Sequence, residues 1–370
     1  MTTLSSAMTM MLWVPAALLL LFLAGLLLRR MFRLPTPADE LHFATTDDGW
    51  RLALYRYRPE RIPAPAGSAA VRAPGAPGHP VVLCHGLLSN RFNVDLDEDH
   101  SLARHLRRAG FDVWVMELRG HGASRRAASG GLRPFDWTID HYIRQDFPAV
   151  VAYVRSVTGA ETIHWVGHSL GGMILYGACA LGLTGSIRSA VMGDVPTNFA
   201  HDRKPGWFGK TYVRLIPAVP PALVIPFTLL VALISPSLFL PRYGIHDRAT
   251  MLRIVSNGII DWGCSKVAHH LIDVVMNGRF ASADGRVDYE EGVRLIHFPI
   301  LQLAAPSRRS PEAVVQALID WAPVADKTYL RLGRSEGFSE DYNHFTIFLG
   351  ERSRHEVFPV VERFLRRHDT

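Results

Sequence analysis

Gly167-His168-Ser169-Leu170-Gly171-Gly172 stands between a β-prone run, Thr162-Ile163-His164-Trp165-Val166, and an apolar run, Met173-Ile174-Leu175-Tyr176-Gly177-Ala178, that suits a buried helix. A serine at so sharp a strand-to-helix turn has its hydroxyl pushed out of the sheet. The flanking glycines let backbone and helix approach without a Cβ clash, which is the spacing of a nucleophile elbow. G-x-S-x-G also arises by chance as a plain glycine-rich turn. The strand before it and the helix behind it make Ser169 the candidate nucleophile.

Upstream, Val81-Val82-Leu83-Cys84 reads as a strand running into His85-Gly86-Leu87-Leu88-Ser89-Asn90. In a sheet of this kind the oxyanion is held by the backbone N–H after the nucleophile and by one from the loop after the third strand. Leu170 and Leu87 are the candidates, a tight turn without a donor role being the other reading of the HG loop. Residues 101–108 suit a helix, Phe111-Asp112-Val113-Trp114-Val115-Met116 a strand, and Arg119-Gly120-His121-Gly122-Ala123-Ser124 a second glycine-rich turn.

The stretch 84–124, with 167–172, resembles the α/β-hydrolase superfamily, especially its acid lipases and the plant and bacterial hydrolases with an HG loop. The likeness extends to Asp341-Tyr342-Asn343-His344-Phe345 and the helix predicted over 354–365, covering about residues 40–200 and 295–368. It implies a mostly parallel twisted sheet flanked by helices, a serine nucleophile and a catalytic histidine late in the chain.

Among seventeen histidines, His344 is the candidate general base. It follows the predicted strand 327–332 and precedes a helix whose Val357, Val360, Val361, Phe364 and Leu365 share one face. His168, His270, His297 and His355 fit less well, lying in the elbow, the insert, a strand start and a helix. The resemblance implies an Asp after the seventh strand, but Pro299-Ile300-Leu301-Gln302-Leu303-Ala304 runs into Ala305-Pro306-Ser307-Arg308-Arg309-Ser310-Pro311 with no carboxylate. Asp194, at the end of the strand 189–192, is the alternative acid. Glu312 reads better as first-turn helix charge, Asp341 lies next to the histidine loop, and a site without an acid is also open.

Length and 48% hydrophobic content fit one large domain with an insert. The expected division is an anchor at 8–28, core at 38–195 with a flexible Pro/Ala/Gly-rich loop at 58–80, a cap or lid at 196–295, and core again at 296–370. Strands over 40–45 and 50–57 flank the Asp47-Asp48-Gly49 turn. Residues 2–28 carry no charge, and the nineteen residues 10–28 make about 28 Å of helix against a hydrocarbon core of about 30 Å. No basic segment precedes the run, and no small-x-small cleavage site follows it, as a signal peptide would require. Arg29, Arg30 and Arg33 trail it, which predicts a single-pass membrane protein with its catalytic domain in the cytoplasm.

The net charge of +6 and pI near 9.4 suit an anionic membrane face. No nucleic-acid recognition motif accompanies them. Of the three cysteines, Cys84, Cys179 and Cys264, the first lies in a predicted core strand and the second in the helix after the elbow, which reads as buried thiols rather than disulfides or metal ligands. Residues 215–241 are uncharged with six prolines, and their longest proline-free run, 227–235, reaches only about 14 Å as a helix. We therefore expect an apolar lid that packs over Ser169 or dips into the interface, a buried cap core or a broken membrane hairpin being the other readings. The carboxylates in Asp95-Leu96-Asp97-Glu98-Asp99-His100 lack the glycine and glutamate of a calcium loop, so Asp99 or Ser101 reads as a helix N-cap. No metal or cofactor is expected. The predicted activity is hydrolysis of lipid or other apolar carboxylic esters through an acyl-serine. Acyl transfer, as in the polyhydroxyalkanoate synthases that residues 95–119 resemble but which use cysteine, and a non-catalytic binding protein are the alternatives. The oligomeric state is not legible.

Overall fold

Eight strands form one sheet in the order β1-β2-β4-β3-β5-β6-β7-β8 in the computed structural model, which describes residues 2–60, 79–124, 136–197, 199, 221–235, 247–257, 264–306, 315–316 and 320–369. The chain enters the sheet through an antiparallel hairpin of β1 (Glu40–Thr45) and β2 (Arg51–Tyr57), with Ala44 opposite Leu52. Its turn needs a left-handed residue and has Gly49, at φ 80°. β2 pairs antiparallel with β4 (Val113–Met116). From there β3 (Val81–Cys84), β5 (Ile163–His168), β6 (Ile187–Gly193), β7 (Ile300–Ala304) and β8 (Lys327–Arg331) continue in parallel.

β3 and β4 are short, unbroken apolar runs because both of their faces are covered. Alternation along each strand divides the core in two. Val82, Cys84, Trp114, Met116 and Trp165 point to one face, where they meet α3 (Phe147–Thr158) and α4 (Leu170–Ala180) through Phe147, Val150 and Ile174. Val81, Leu83, Val113, Val115 and Val166 point to the other. There α2 (Leu102–Arg108) contributes Leu102 and Leu106, and α8 (Phe358–Arg367) contributes Val361, Phe364 and Leu365. α2 begins at Ser101, whose hydroxyl accepts from Arg104 N–H. Asp99 is not the cap: it is exposed and paired with Arg354.

The predicted strand 111–116 begins two residues later than expected, at Val113, because Phe111 N–H closes back onto the Leu106 carbonyl at the end of α2. β4 lies on one side of β3 and β5 on the other. The loops leaving β3 and β5 therefore open a crevice at the carboxyl ends of the strands, where the chain switches direction across the sheet.

α1 (Thr2–Met31) is thirty residues long, and its stretch Trp13–Met31 is long and apolar enough to cross a membrane. The helix runs on through Pro15, its fourteenth residue, at the cost of the one ladder hydrogen bond that a proline cannot donate. Within the predicted lid, α5 (Pro221–Ile234) is longer than the proline-free run, since it continues through Pro226 to make about 21 Å of helix. It lies along α1, with Gly25 against Pro226 and the Phe22 and Phe227 rings 6.1 Å apart. α6 (Arg248–Asn257) joins it, and Ile225, Leu229, Met251 and Val255 form a third small core with Leu28 and Phe32 from the foot of α1. α7 (Ser265–Asn277) follows, and a short 3-10 helix, Glu290–Leu295, ends the insert before β7. Residues 61–78 of the predicted flexible loop, and Glu312, lie outside the described residues. All three cysteines are buried free thiols.

Candidate active site

Ser169 sits between β5 and α4 with φ 51° and ψ −116°, a backbone conformation rarely adopted by a residue with a side chain. Three features hold it there. Its N–H donates to the Gly193 carbonyl (3.0 Å), and its own carbonyl starts α4 by accepting from Gly172 and Met173. Gly167 and Gly171 are crossed so closely that a Cβ on Gly167 would lie 2.6 Å from Gly171 backbone, and one on Gly171 would lie 2.5 Å from the Cys84 carbonyl oxygen. Only glycine fits either position.

The HG loop is fastened against this turn. Leu118 N–H donates to His85 Nε2 (3.2 Å), so the His85 ring proton is on Nδ1, where it donates to the Gly86 carbonyl (2.8 Å). Gly86 N–H donates to Asn93 Oδ1 (3.1 Å), and a Cβ on Gly86 would stand only 3.2 Å from the Ser169 Cβ. Leu87 follows, half-buried against the core under the elbow, and Leu88 carries a positive φ of 57°. Leu170, the other predicted donor, is the first residue of α4, so its N–H belongs to the unpaired first turn of a helix.

Asp194 directly follows β6, fully buried, and is also held at a positive φ of 49°. Its N–H donates to Leu303 O (2.8 Å), and its Oδ1 accepts from Ala305 N–H (2.9 Å), so the end of β7 aims the carboxylate. Its Oδ2 lies 2.6 Å from His344 Nδ1. A carboxylate can only accept, so the imidazole proton is fixed on Nδ1 and Nε2 is left with its lone pair. His344 lies on the loop after β8, which Asn343 shapes by accepting from Phe345 and Thr346 N–H to start a short helix, Thr346–Leu349. Asp341 is turned away, accepting from Arg334 N–H at the surface.

Two residues that sequence reasoning did not assign to the site complete its frame. His168, next to Ser169, is fully buried with Nδ1 2.8 Å from Asn93 Oδ1 and Nε2 2.7 Å from the His344 carbonyl oxygen. Burial pushes its pKa down to about 3, and the neighbouring His344 adds to the shift. Asn93 thus touches both the HG loop and the elbow. The position of His168 inside the motif is a sequence signal, whereas its reach to residue 344 depends on the folded chain. Farther out, Asn90 Nδ2 donates to the Asn257 carbonyl (2.9 Å). The Asn257 side chain in turn bonds Phe32 O (2.7 Å) and Leu34 N–H (2.9 Å), so the segment after α1 is tied to the segment after the HG loop.

The Arg119-to-Ser124 turn leaves β4 at the same end of the sheet and packs beside the HG loop, with the His85 and His121 rings 5.0 Å apart. Arg119 is fully buried, its Nε 2.7 Å from Asp146 Oδ1 and its guanidinium also on Asp48, while Ser124 Oγ accepts from Ala53 N–H and donates to Glu117 O. Asp95 is likewise buried among Tyr57, Arg91, Ser101 and Arg104, a structural carboxylate rather than a ligand.

Residues 79–212 match the family model of the α/β hydrolase fold. The chain is 35% identical over 158 residues to triacylglycerol lipase 2 of Arabidopsis thaliana, covering 41% of this chain and 36% of that one. It is 33% identical over 143 residues to lipase member K of Homo sapiens, covering 37% and 33%. The chain thus spans about a third of the length of the curated relatives it matches. Among solved structures it superposes on a soluble variant of monoglyceride lipase from Saccharomyces cerevisiae with a TM-score of 0.59 at 17% identity, covering 91% of this chain and 99% of that one. It also superposes on a thermophilic esterase from Thermogutta terrifontis, with a TM-score of 0.56 at 16% identity over 90% and 100%. The chain has the α/β-hydrolase fold, and the curated proteins it resembles over about two fifths of its length, triacylglycerol lipase 2 and lipase member K among them, are lipases.

Proposed function

We propose that this chain is a membrane-anchored serine hydrolase that cleaves lipid or other apolar carboxylic esters. The observation that carries the reading is the buried Asp194 carboxylate 2.6 Å from His344 Nδ1, on the loop that His168 ties to the strained Ser169 turn. In the proposed reaction His344 Nε2 takes the Ser169 proton as Oγ attacks the ester carbonyl. The oxyanion is held by the N–H groups of Leu87 and Leu170, and Asp194 stabilises the imidazolium. His344 returns the proton to the leaving alcohol. Water then repeats the cycle on the acyl-serine. Side chains and backbone groups perform every step, so no cofactor enters.

The ester class rests on the similarity to lipases and on the exposed apolar side chains of α1 and α5. α1 serves as the anchor, its trailing arginines facing the cytoplasm with the catalytic domain, and 196–295 as the lid, through which substrate leaves the bilayer. The test is labelling of the full chain in detergent with a fluorophosphonate probe, together with hydrolysis of short aryl esters. Wild type should react with the probe at a single site and turn over the ester, and Ser169→Ala should lose both while keeping its fold. An unlabelled, folded wild type would overturn the reading.

A further inference from the structure

At the far end of the sheet from Ser169, three potential metal ligands from distant parts of the chain converge. His79 lies two residues before β3, His164 is the second residue of β5, and Asp369 follows α8. His79 Nδ1 is 3.0 Å and His164 Nε2 3.4 Å from Asp369 Oδ1, and one ligand atom from each residue falls within 4.8 Å of the other two. Four ligands at about 2.0–2.2 Å around a tetrahedral zinc ion stand about 3.3 Å apart. The cluster is therefore already close to that size.

Ring orientation also matches. His164 is fully buried, and its Nδ1 lies 2.8 Å from Ser189 Oγ on β6. A proton on Nδ1, donated to that hydroxyl, leaves the Nε2 lone pair facing Asp369, which is how an outer hydrogen bond prepares a ligating histidine. His164 N–H is fixed to the Pro80 carbonyl (2.8 Å) and His79 N–H to Asp369 Oδ1 (2.7 Å), so the backbone holds two of the ligands in register. The side chains of His79 and Asp369 are 20% and 18% exposed, which leaves one side of the cluster open to solvent.

From this geometry we propose that His79, His164 and Asp369 form a binding site for a zinc-class divalent ion, with water as the fourth ligand. Two imidazoles and one carboxylate suit zinc or cobalt and are too poor in oxygen for calcium or magnesium. The ion would staple the segment after α8 to the starts of β3 and β5. It plays no part in the proposed hydrolysis, since β5 carries the two sites at opposite ends.

The test is calorimetric titration of metal-stripped full-length protein in detergent with zinc, and with cobalt read through its visible absorption bands. Wild type should bind one equivalent, show the bands of tetrahedral cobalt, and gain about 4 °C in Tm at a hundredfold excess over Kd. His79→Ala and Asp369→Asn, both at partly exposed positions, should lose binding and the Tm gain while remaining folded by circular dichroism. Ser189→Ala keeps all three ligands and should bind about 10–100-fold more weakly. Absence of stoichiometric binding in wild type overturns the proposal. So does binding that persists in both ligand variants, because the ion would then sit away from this cluster.

Discussion

His168 Nε2 lies 2.7 Å from the carbonyl oxygen of His344, so the residue beside the elbow serine grips the loop that carries the candidate base. The same ring meets Asn93, which accepts the Gly86 N–H of the HG loop. Three loops that must agree in position to within a fraction of an ångström are thus joined through one buried imidazole. Replacing it with leucine keeps the volume and removes both polar contacts. His168→Leu should lower kcat on a soluble aryl ester about 100-fold, the scale of a misplacement of about 1 Å, with slower probe labelling and unchanged circular dichroism. Wild-type kinetics in a folded variant would mean that His344 is held by other contacts.

Asp194 makes a separate prediction because it can be changed without moving the backbone. Asp194→Asn retains the Ala305 N–H bond at its oxygen end but can present an N–H to His344 Nδ1, which would flip the imidazole to the wrong tautomer. A drop in kcat of about 10³ to 10⁴ with little change in KM is expected. A silent substitution would leave His344 working without an acid.

Much of this arrangement is legible in the sequence, and the limits have physical causes. The runs Val81-Val82-Leu83-Cys84 and Ile163 to Val166 identify buried strands because parallel strands covered on both faces need no polar alternation. Ser169 is legible because its conformation demands glycines at fixed offsets. Asp194 is readable only as a carboxylate at a strand end, since nothing local to residues 190–195 encodes its approach to residue 344. The bridging by His168 and Asn93, and the Asn257 tie to Phe32 and Leu34, join residues 75 to 225 positions apart. No local pattern records such contacts. α5 departs from the proline-based reading because Pro226 costs the helix one hydrogen bond, which its packing along α1 offsets.

The buried ion cluster at the Arg119 turn should be sensitive to loss of one member. Arg119 and Asp146 are both fully buried, 2.7 Å apart, and Asp48 completes the guanidinium's partners. Asp146→Ala leaves a desolvated cation without its main counter-charge, at a cost of about 3–5 kcal/mol. Denaturant melts of the variant and of wild type measure it, and a difference below about 1 kcal/mol would mean that Asp48 alone suffices.

Glu290 gives the pH dependence of stability. Burial raises its pKa from 4.5 to about 7 in the folded chain, outweighing the backbone N–H groups of Phe280 and Phe199 that its carboxylate accepts. Between these two values the folded state holds more proton than the unfolded state. The contribution of Glu290 is therefore complete below pH 4.5 and is lost as pH rises through 7. Glu290→Gln, which stays neutral, should gain stability relative to wild type from pH 5 to pH 7.5. Parallel stability curves for the two proteins over that range would contradict the shifted carboxyl.

The last prediction concerns α5. Phe227, Val231 and Ile234 are 36%, 42% and 76% exposed, and their spacing of four and then three residues puts them on one face. The helix lies along α1, whose Leu19, Leu20, Leu23 and Leu27 are also exposed, so the two helices present adjoining apolar surfaces. Such an area is costly in water and favourable in the acyl region of a bilayer. Changing Val231 and Ile234 to serine leaves Phe227 on Phe22 of α1 and the contacts of Ile225, Leu229 and Ala232 in place. The protein should therefore stay folded and fractionate with membranes. Hydrolysis of a long-chain ester dispersed in vesicles should fall about tenfold or more, since each apolar side chain withdrawn from lipid forfeits on the order of 1 kcal/mol or more. Hydrolysis of a soluble aryl ester should stay within about twofold of wild type. Equal loss on both substrates would make α5 a structural support for the site, and no loss on either would remove it from the path by which substrate arrives.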